Sequence, residues 1–454
     1  MHSPRDGSHV ESLDGRLVSA VRAGDADAVR ALLEEGAHPD ASAAEGLPVL
    51  CSAVAAYDAV VAEALVEGGA DPDRALPDGT TPLLRAVDLG SPAMVSAVLG
   101  DEPPRRLPQA ARERLLAMAR NWYETGAAEE LCRRTGASGP AETCLVQDDE
   151  SHHVERVSLG GLTVRAGHGA VLTSLEWAFR ILTPVDELVA RAVHRPDEDH
   201  VDWSASRFTL TLRRSKETWS AVVAFRHHPS PHHRLFVLSY LRMRMLFERS
   251  GRHSYAKAES QLLADWAIEE TDSSVLAQVL KTFNTYEHPG HEAVGLRYAD
   301  HPDPRVRRQV PDCFSTNDAS LTSTATAALL TLARDPDSEV RRAVCEVIAP
   351  ALGLTPEPQL ALLALIRDPD PDVRAAAAAT LSRSHDRTPA VTEAFVALLD
   401  EEDQLLRLEG ACGLARRDDP RTEEAYERVG PLGPGFEHDA RADALWRWRM
   451  RNRP

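Results

Sequence analysis

One spacing limits what this chain can fold into. The stretch RDPDPDVRAAAAATL, residues 367–381, has upstream counterparts ARDPDSEVRRAVCEVIA and ADHPDPRVRRQVPDCF, and a downstream counterpart LDEEDQLLRLEGACGLA. Asp303, Asp337, Asp370 and Asp403 stand 34, 33 and 33 residues apart. Arg307, Arg341, Arg374 and Arg407 keep step, and so do Val306, Val340, Val373 and Leu406 just before them. A single helix pair cannot bury its apolar face alone, so a chain with this period must stack its pairs side by side. A catalytic carboxylate pair would normally occur once. A pair that returns in every unit predicts a structural rung.

The turn chemistry follows from residue types. In DPDPDV, Asp370 suits an N-cap and Pro371 the first helical position, where its missing N–H costs nothing. Each acid stands four residues before an arginine, so the two can meet on one helix face or join neighbouring units. We therefore assign a structural ladder to Asp303 and Arg307, Asp337 and Arg341, Asp370 and Arg374, and Asp403 and Arg407. The motif D-P-D-x-x-V-R, present as HPDPRVRR, DPDSEVRR and DPDPDVRA, resembles HEAT repeats of the short form first described in phycobilisome lyases. The fourth copy carries Glu402 in place of Pro. A more distant copy is HHPSPHHRLFVLSYL, His227 to Leu241, with TDSSVLAQVLKTF, Thr271 to Phe283, filling the gap. The resemblance implies a right-handed α-solenoid over 205–454 that serves protein binding. Nothing in the sequence supports a bilin or any other cofactor.

A second array stands at the N-terminus. Leu17, Leu50 and Leu83, Ala20, Ala53 and Ala86, and Gly36 and Gly69 repeat with a period of 33. Asp25, Asp58 and Ser91 are natural N-caps for the second helix of each unit, and Gly36 and Gly69 close it. DGTTPLLRAV, residues 78–87, resembles the ankyrin-repeat signature, with Leu84 in place of the usual His. The resemblance implies binding through loop tips near residues 38–45 and 71–78 and through the adjoining inner helices. The candidate partner-binding residues are His38, Asp40, Asp71, Asp73, Arg74 and Asp78. The expected fold is all-α, two solenoids in tandem: an ankyrin-type domain over 12–138 with an irregular last unit, a junction of loop plus helices over 139–204, and a HEAT-type solenoid over 205–454 closed by a capping helix. In the junction, VERVSLGGLTV reads as two short strands about Gly160-Gly161, and SGPAETCLVQDDESHH as a polar loop. Thr183 reads as a helix cap with Pro184 first in the helix.

Charge narrows the function. The formal net charge is −19, and residues 1–150 hold 26 acids against 13 Arg and Lys. Such a chain repels phosphate backbones and favours a protein partner with a basic patch. Only Lys216, Lys257 and Lys281 are lysines, an Arg-rich usage that suggests a bacterial, actinomycete-like source. Six cysteines are scattered without CxxC, and Cys51, Cys345 and Cys412, at core-like repeat positions, read as reduced core residues of a cytoplasmic protein. No apolar run is long enough to span a membrane. The histidine cluster His227–His233 and the acid-rich HRPDEDHVDW, His194 to Trp203, are weighed as metal sites and read as solvated turns. The C-terminal ADALWRWRMRNRP, with Arg447, Arg449, Arg451 and Arg453 around Trp446 and Trp448, reads as a closing helix. The chain is thus expected to be a non-enzymatic scaffold without metal or cofactor, leaving any small-molecule substrate unknown. The alternative is a nucleic-acid-binding enzyme resembling the HEAT-like alkylpurine DNA glycosylases. It would recruit Trp219, Trp266, Arg242 and Arg244 to a basic concave face.

Overall fold

The computed structural model describes residues 12–42, 46–247, 255–315, 321–348, 356–384, 386–436 and 438–452. It contains two compact units, Met1–Phe247 and Glu248–Pro454. Compactness therefore divides the chain at a different place from repeat type. The helix that spans the expected boundary at 204, Val201–Leu212, and the next two, Lys216–Ala224 and Pro231–Phe247, belong to the first unit.

The first unit opens with three helix pairs: Leu13–Ala23 with Ala26–Glu34, Val49–Ala56 with Ala59–Glu67, and Pro82–Leu89 with Pro92–Leu99. Each second helix starts where a short polar side chain takes its first N–H groups. Asp25 accepts from Ala28 N at 2.9 Å, Asp58 from Val61 N at 3.1 Å, and Ser91 from Met94 N at 3.2 Å. Gly36 and Gly69 end the first two of these helices at φ of 101° and 98°, where an L side chain would be strained. Leu17, Leu50 and Leu83 are fully buried, so the sequence period is also the core period.

Helices Gln109–Thr125 and Ala127–Thr135 follow, and then an antiparallel sheet. Its strands are β1 (Glu142–Gln147), β2 (His153–Leu159) and β3 (Leu162–Arg165), in the order β1-β2-β3. This corrects the expectation of loop plus helices in 139–204. The two-stranded piece about Gly160-Gly161 is present, but ETCLVQ, inside the stretch expected to be a polar loop, forms a third strand. Its residues Cys144 and Val146 pair with Arg156 and Val154. Contacts distant in sequence decide this: Val154 packs with Ala170, Val201 and Val146, while Val157 and Val164 pack with Trp122 and Leu131. Helices His168–Ala178 and Val185–His194 come next. The second begins one residue later than expected, with Pro184 as cap. The Thr183 hydroxyl instead donates to Glu176 Oε2 at 2.7 Å.

The second unit repeats one turn design. Asp303, Asp337, Asp370 and Asp403 all cap helices, accepting from the backbone N–H two residues on at 2.7–3.0 Å. They open Pro304–Arg307, Ser338–Val347, Pro371–Arg383 and Gln404–Ala415. Asp272 caps Ser273–Phe283 in the same way. The closing helix is Ala440–Arg451. Val306, Val340, Val373 and Leu406 are buried, as their spacing requires.

Candidate functional site

The arginine in each C-terminal turn first secures its own turn. Arg307 Nη1 donates to the His301 and Pro302 carbonyls, Arg341 Nη1 to Asp335 and Pro336, and Arg374 Nη1 to Asp368 and Pro369, all at 2.8–3.1 Å. Arg407 Nη1 does the same to Glu401 and Glu402 at 2.8 and 2.7 Å. The remaining face of the guanidinium reaches the next turn. Arg307 pairs with both oxygens of Asp335 at 2.6 and 2.8 Å, and Arg341 with both oxygens of Asp368 at 2.7 Å. Arg374 makes one bond to Glu401 at 3.1 Å, and Arg407 Nε finds only the Arg428 carbonyl at 3.0 Å.

This corrects the membership of the ladder. Arg307, Arg341 and Arg374 each reach an acid of the next turn and Arg407 a backbone carbonyl, and Asp303, Asp337, Asp370 and Asp403 are not the ion-pair partners of these arginines. Each aspartate gives one oxygen to an N–H of its own helix, and Asp303 also pairs with the Arg305 guanidinium at 2.7 Å. The rung acids are Asp335, Asp368 and Glu401, two residues before the cap. Burial pushes the Asp335 and Asp368 carboxyls up, but hydrogen bonds from the arginine and from the backbone N–H two residues on hold both below the ordinary carboxylate range. The D-P-D pattern carried part of the missing signal, since its first position is acidic in three of the four copies, Asp335, Asp368 and Glu401, with His301 in the other.

The candidate binding residues of the first array are also engaged within the chain. The His38 N–H donates to Asp14 at 2.8 Å, and Asp40 accepts from Asp71 N at 3.0 Å and pairs with Arg74 at 3.6 Å. Asp73 accepts from Arg106 Nε at 2.5 Å, and Arg106 also donates to the Leu99 and Asp101 carbonyls. Asp78 takes Thr80 and Arg85; these hydrogen bonds, Thr80 first, draw its carboxyl down to about 2. The loop tips thus bind one unit to the next. His38, Asp71, Arg74 and Asp78 still reach solvent. Residues 43–45, the end of the first expected tip, lie outside the described residues, as does Arg453.

Residues 17–105 match the family model of ankyrin repeats in three copies, and residues 326–415 match that of HEAT repeats. The chain carries an ankyrin array followed by HEAT repeats. No curated protein matches it. The HEAT match begins after the copies at 227–241 and 303–314, yet the turn design reaches further back. Arg234 Nη1 donates to the His228 and Pro229 carbonyls at 2.9 and 3.0 Å, as Arg307 does to His301 and Pro302.

Between the ankyrin inner helices Val49–Ala56 and Pro82–Leu89 lies a groove of about 340 Å³. Val54, Ala55 and Leu89 give it an apolar floor, Arg85 and Asp88 polar walls, and Tyr57 and Thr163 one end. The Tyr57 hydroxyl donates to the Leu89 carbonyl at 3.3 Å, and Arg165 stacks over its ring at 4.4 Å. Arg165 also pairs with Asp148 at 2.7 Å, which in turn accepts from Ser91 and Ala93 N. The sheet is therefore fastened to the third ankyrin unit. Beside it, Trp122 stacks on buried His168 with centroids 4.7 Å apart and donates to Asp88 at 2.8 Å. Sequence reading missed Asp148, Arg165 and His168, because none of them repeats.

HRPDEDHVDW is not a solvated loop. His200 is buried with Nε2 3.0 Å from Glu155, and buried Asp202 accepts from Ala170 N at 2.6 Å. His228 and His233 stack at 3.7 Å. Among the described residues no group of three or more His, Cys, Asp or Glu is arranged to hold a metal ion. Leu445 and Trp448 of the closing helix are buried, whereas Trp446 is 59% exposed. Arg449 and Arg451 pair with Glu423 and Asp418. Arg242 is held by Glu198 at 2.6 Å, and Arg244 and Trp266 are buried. No helix of the described residues is long and apolar enough to cross a membrane.

Proposed function

We propose that this chain is a non-enzymatic scaffold that holds protein partners on its repeat surfaces. Ankyrin and HEAT repeats are generally protein-interaction modules. The observation that carries the reading is the division of labour in the ankyrin array: the tip charges join unit to unit, while the inner-helix groove stays open. Its apolar floor with Arg85 and Asp88 at the walls suits an extended segment of a protein. The acid excess of residues 1–150 favours a basic partner, with the solvent-reaching tip residues His38, Asp71, Arg74 and Asp78 as further contacts. A cytoplasmic site of action is in keeping with the unpaired buried cysteines Cys51, Cys313, Cys345 and Cys412. The glycosylase-like alternative loses support, since Arg242 is already ion-paired and Arg244 and Trp266 are not surface groups.

Exposed Ala55 is the place to test this. Ala55→Arg fills the groove from an inner helix without touching the core. Affinity purification of the full chain and of this variant from the native host should yield a partner set that the variant loses. That partner should then bind the purified protein directly, and at least about tenfold more weakly to Ala55→Arg. A partner set unchanged by the substitution would remove the groove from the reading.

A further inference from the structure

The first unit carries one surface that neither array explains. β1 is an outer strand of its sheet, and among the described residues nothing pairs along its free side. Glu142, Thr143, Cys144, Leu145 and Gln147 are exposed, Leu145 at 60%.

The phase of the ladder shows which backbone groups are free. In antiparallel pairs, successive residues turn their N–H and C=O alternately toward and away from a neighbour. The turn at Gly160-Gly161 has φ of 59° and 83°, so Leu159 and Leu162 form the hydrogen-bonded pair that closes a two-residue hairpin. Glu155 and Val157 then face β3, in agreement with the bond from Ala166 N to the Glu155 carbonyl. Val154, Arg156 and Ser158 face β1, opposite Val146, Cys144 and Glu142. Thr143, Leu145 and Gln147 are left with N–H and C=O turned outward. Edges of this kind template a further strand unless they are blocked.

We propose that β1 is a docking edge for an extended, basic segment of a partner protein, which adds to the sheet as a fourth strand. Charge selects this occupant. Glu142 stands at one end of the edge and Asp149 and Glu150 at the other. A second copy of this chain fits poorly: antiparallel pairing about Leu145 would set Glu142 against the copy's acidic turn at 148–150, and like charges across a pair are destabilising. Leu145 lies on the same sheet face as Val157 and Val164, so an apolar side chain beside it would extend a face already used for packing. Basic side chains near the two ends would meet the acids. This edge is distinct from the inner-helix groove and can be tested without it.

Two labelled peptides of about eight residues, one alternating lysine and valine and the other glutamate and valine, are titrated against the full-length protein by fluorescence anisotropy. The lysine peptide should bind at least about tenfold more tightly than the glutamate peptide, and should slow amide exchange at Thr143, Leu145 and Gln147. N-methylating every second peptide nitrogen in each phase separately should abolish binding in one phase, because the strand bonds are lost while the side chains stay. Leu145→Pro removes an outward N–H and no bond to β2, so it should weaken binding with an unchanged thermal transition. If that variant unfolds, the methylated peptides decide the matter alone. Equal binding of both peptides, binding indifferent to methylation in either phase, or no binding below about 1 mM would overturn the proposal. Dimerisation of the free protein that Leu145→Pro abolishes would assign the edge to a second copy and overturn it equally.

Discussion

Removing Arg341 should weaken the HEAT stack more than removing Arg374, although the two occupy the same place in the sequence repeat. Arg341 gives two charge-assisted bonds to Asp368, and the two side chains are 12% and 7% exposed. In Arg341→Ala, Asp368 keeps only its bond from Asp370 N at 3.0 Å. Breaking a fully buried ion pair costs about 3–5 kcal/mol. The residual water contact and the remaining donor reduce this to about 2–3 kcal/mol. Arg374 makes a single bond to Glu401, which is 32% exposed and can be rehydrated, while its Nε has no hydrogen-bond partner among the described residues. Arg374→Ala should therefore cost about 1 kcal/mol.

Repeat arrays need not unfold in one step, so a local measurement is required. Native-state hydrogen exchange of helices Ser338–Val347 and Pro371–Arg383 supplies it. An effect of 2–3 kcal/mol means exchange about 30- to 150-fold faster in Arg341→Ala. Adding Asp368→Asn to Arg341→Ala should restore part of the protection, because it removes the stranded charge and keeps an acceptor for Asp370 N. The rung also has a pH signature. Both rung aspartates are depressed in the fold, so their contribution is complete above the ordinary value of 3.8 and is lost as pH falls below it. Equal losses in Arg341→Ala and Arg374→Ala would refute the claim that bidentate pairing to a buried acid sets rung strength.

Two further outcomes are expected in the first unit. Burial, only partly offset by the Asp88 carbonyl, draws the His168 imidazole down to about 4 from 6.5; the unfolded state binds more protons between these values, so stability should fall as pH drops through that window, by up to about 3 kcal/mol. His168→Phe keeps the stack on Trp122 and should flatten that part of the pH dependence in urea unfolding; an unaltered slope would show that His168 does not carry it. Gly24 and Gly90 share a φ of 72°, but a Cβ on Gly24 would meet only Asp58 Oδ2 at 3.1 Å, whereas one on Gly90 would lie 2.0 Å from the Arg165 carbonyl. Gly24→Ala should cost about 1 kcal/mol and Gly90→Ala about 2–4 kcal/mol in thermal unfolding, and equal costs would argue against the sheet seating closely on the third ankyrin unit.

What the sequence made legible was what repeats. Asp25, Asp58 and Ser91 were readable as caps because a cap depends on its own few residues. Ankyrin and HEAT repeats were readable because the period multiplies a weak local signal. The rung was half legible: Arg307, Arg341 and Arg374 stood out, but choosing Asp335 over Asp337 requires knowing that a cap is already engaged by its own helix. β1 was hidden because ETCLVQ lies between the polar stretches SGPA and DDESHH, and the core it joins through its neighbour Val154, at Ala170 and Val201, is distant in the chain. The groove was indicated only as an inner-helix face; its closure at one end depends on Tyr57 and Thr163, which come together from positions 106 residues apart.

The graded ladder follows from the order in which each arginine makes its bonds. Nη1 first takes two carbonyls of its own turn, and this part is the same in Arg234, Arg307, Arg341, Arg374 and Arg407. It fixes the side chain and costs the next unit nothing. What the rest of the guanidinium meets depends on one residue of the following turn. An aspartate there gives a two-bond rung, as at Asp335 and Asp368. The glutamate at 401 gives a single bond, and Arg407 falls back on a backbone carbonyl. This ladder of turn arginines therefore weakens toward the C-terminal end, where other pairs, Arg421 with Glu393 and Arg428 with Asp400, join neighbouring units instead. There Leu445 and Trp448 supply apolar cover, and the pairing of Arg441 with Glu409 at 2.8 Å joins the closing helix to its neighbour. Each arginine thus holds its own turn whether or not a neighbour is present, and only the second set of bonds distinguishes a unit inside the stack from one at its end.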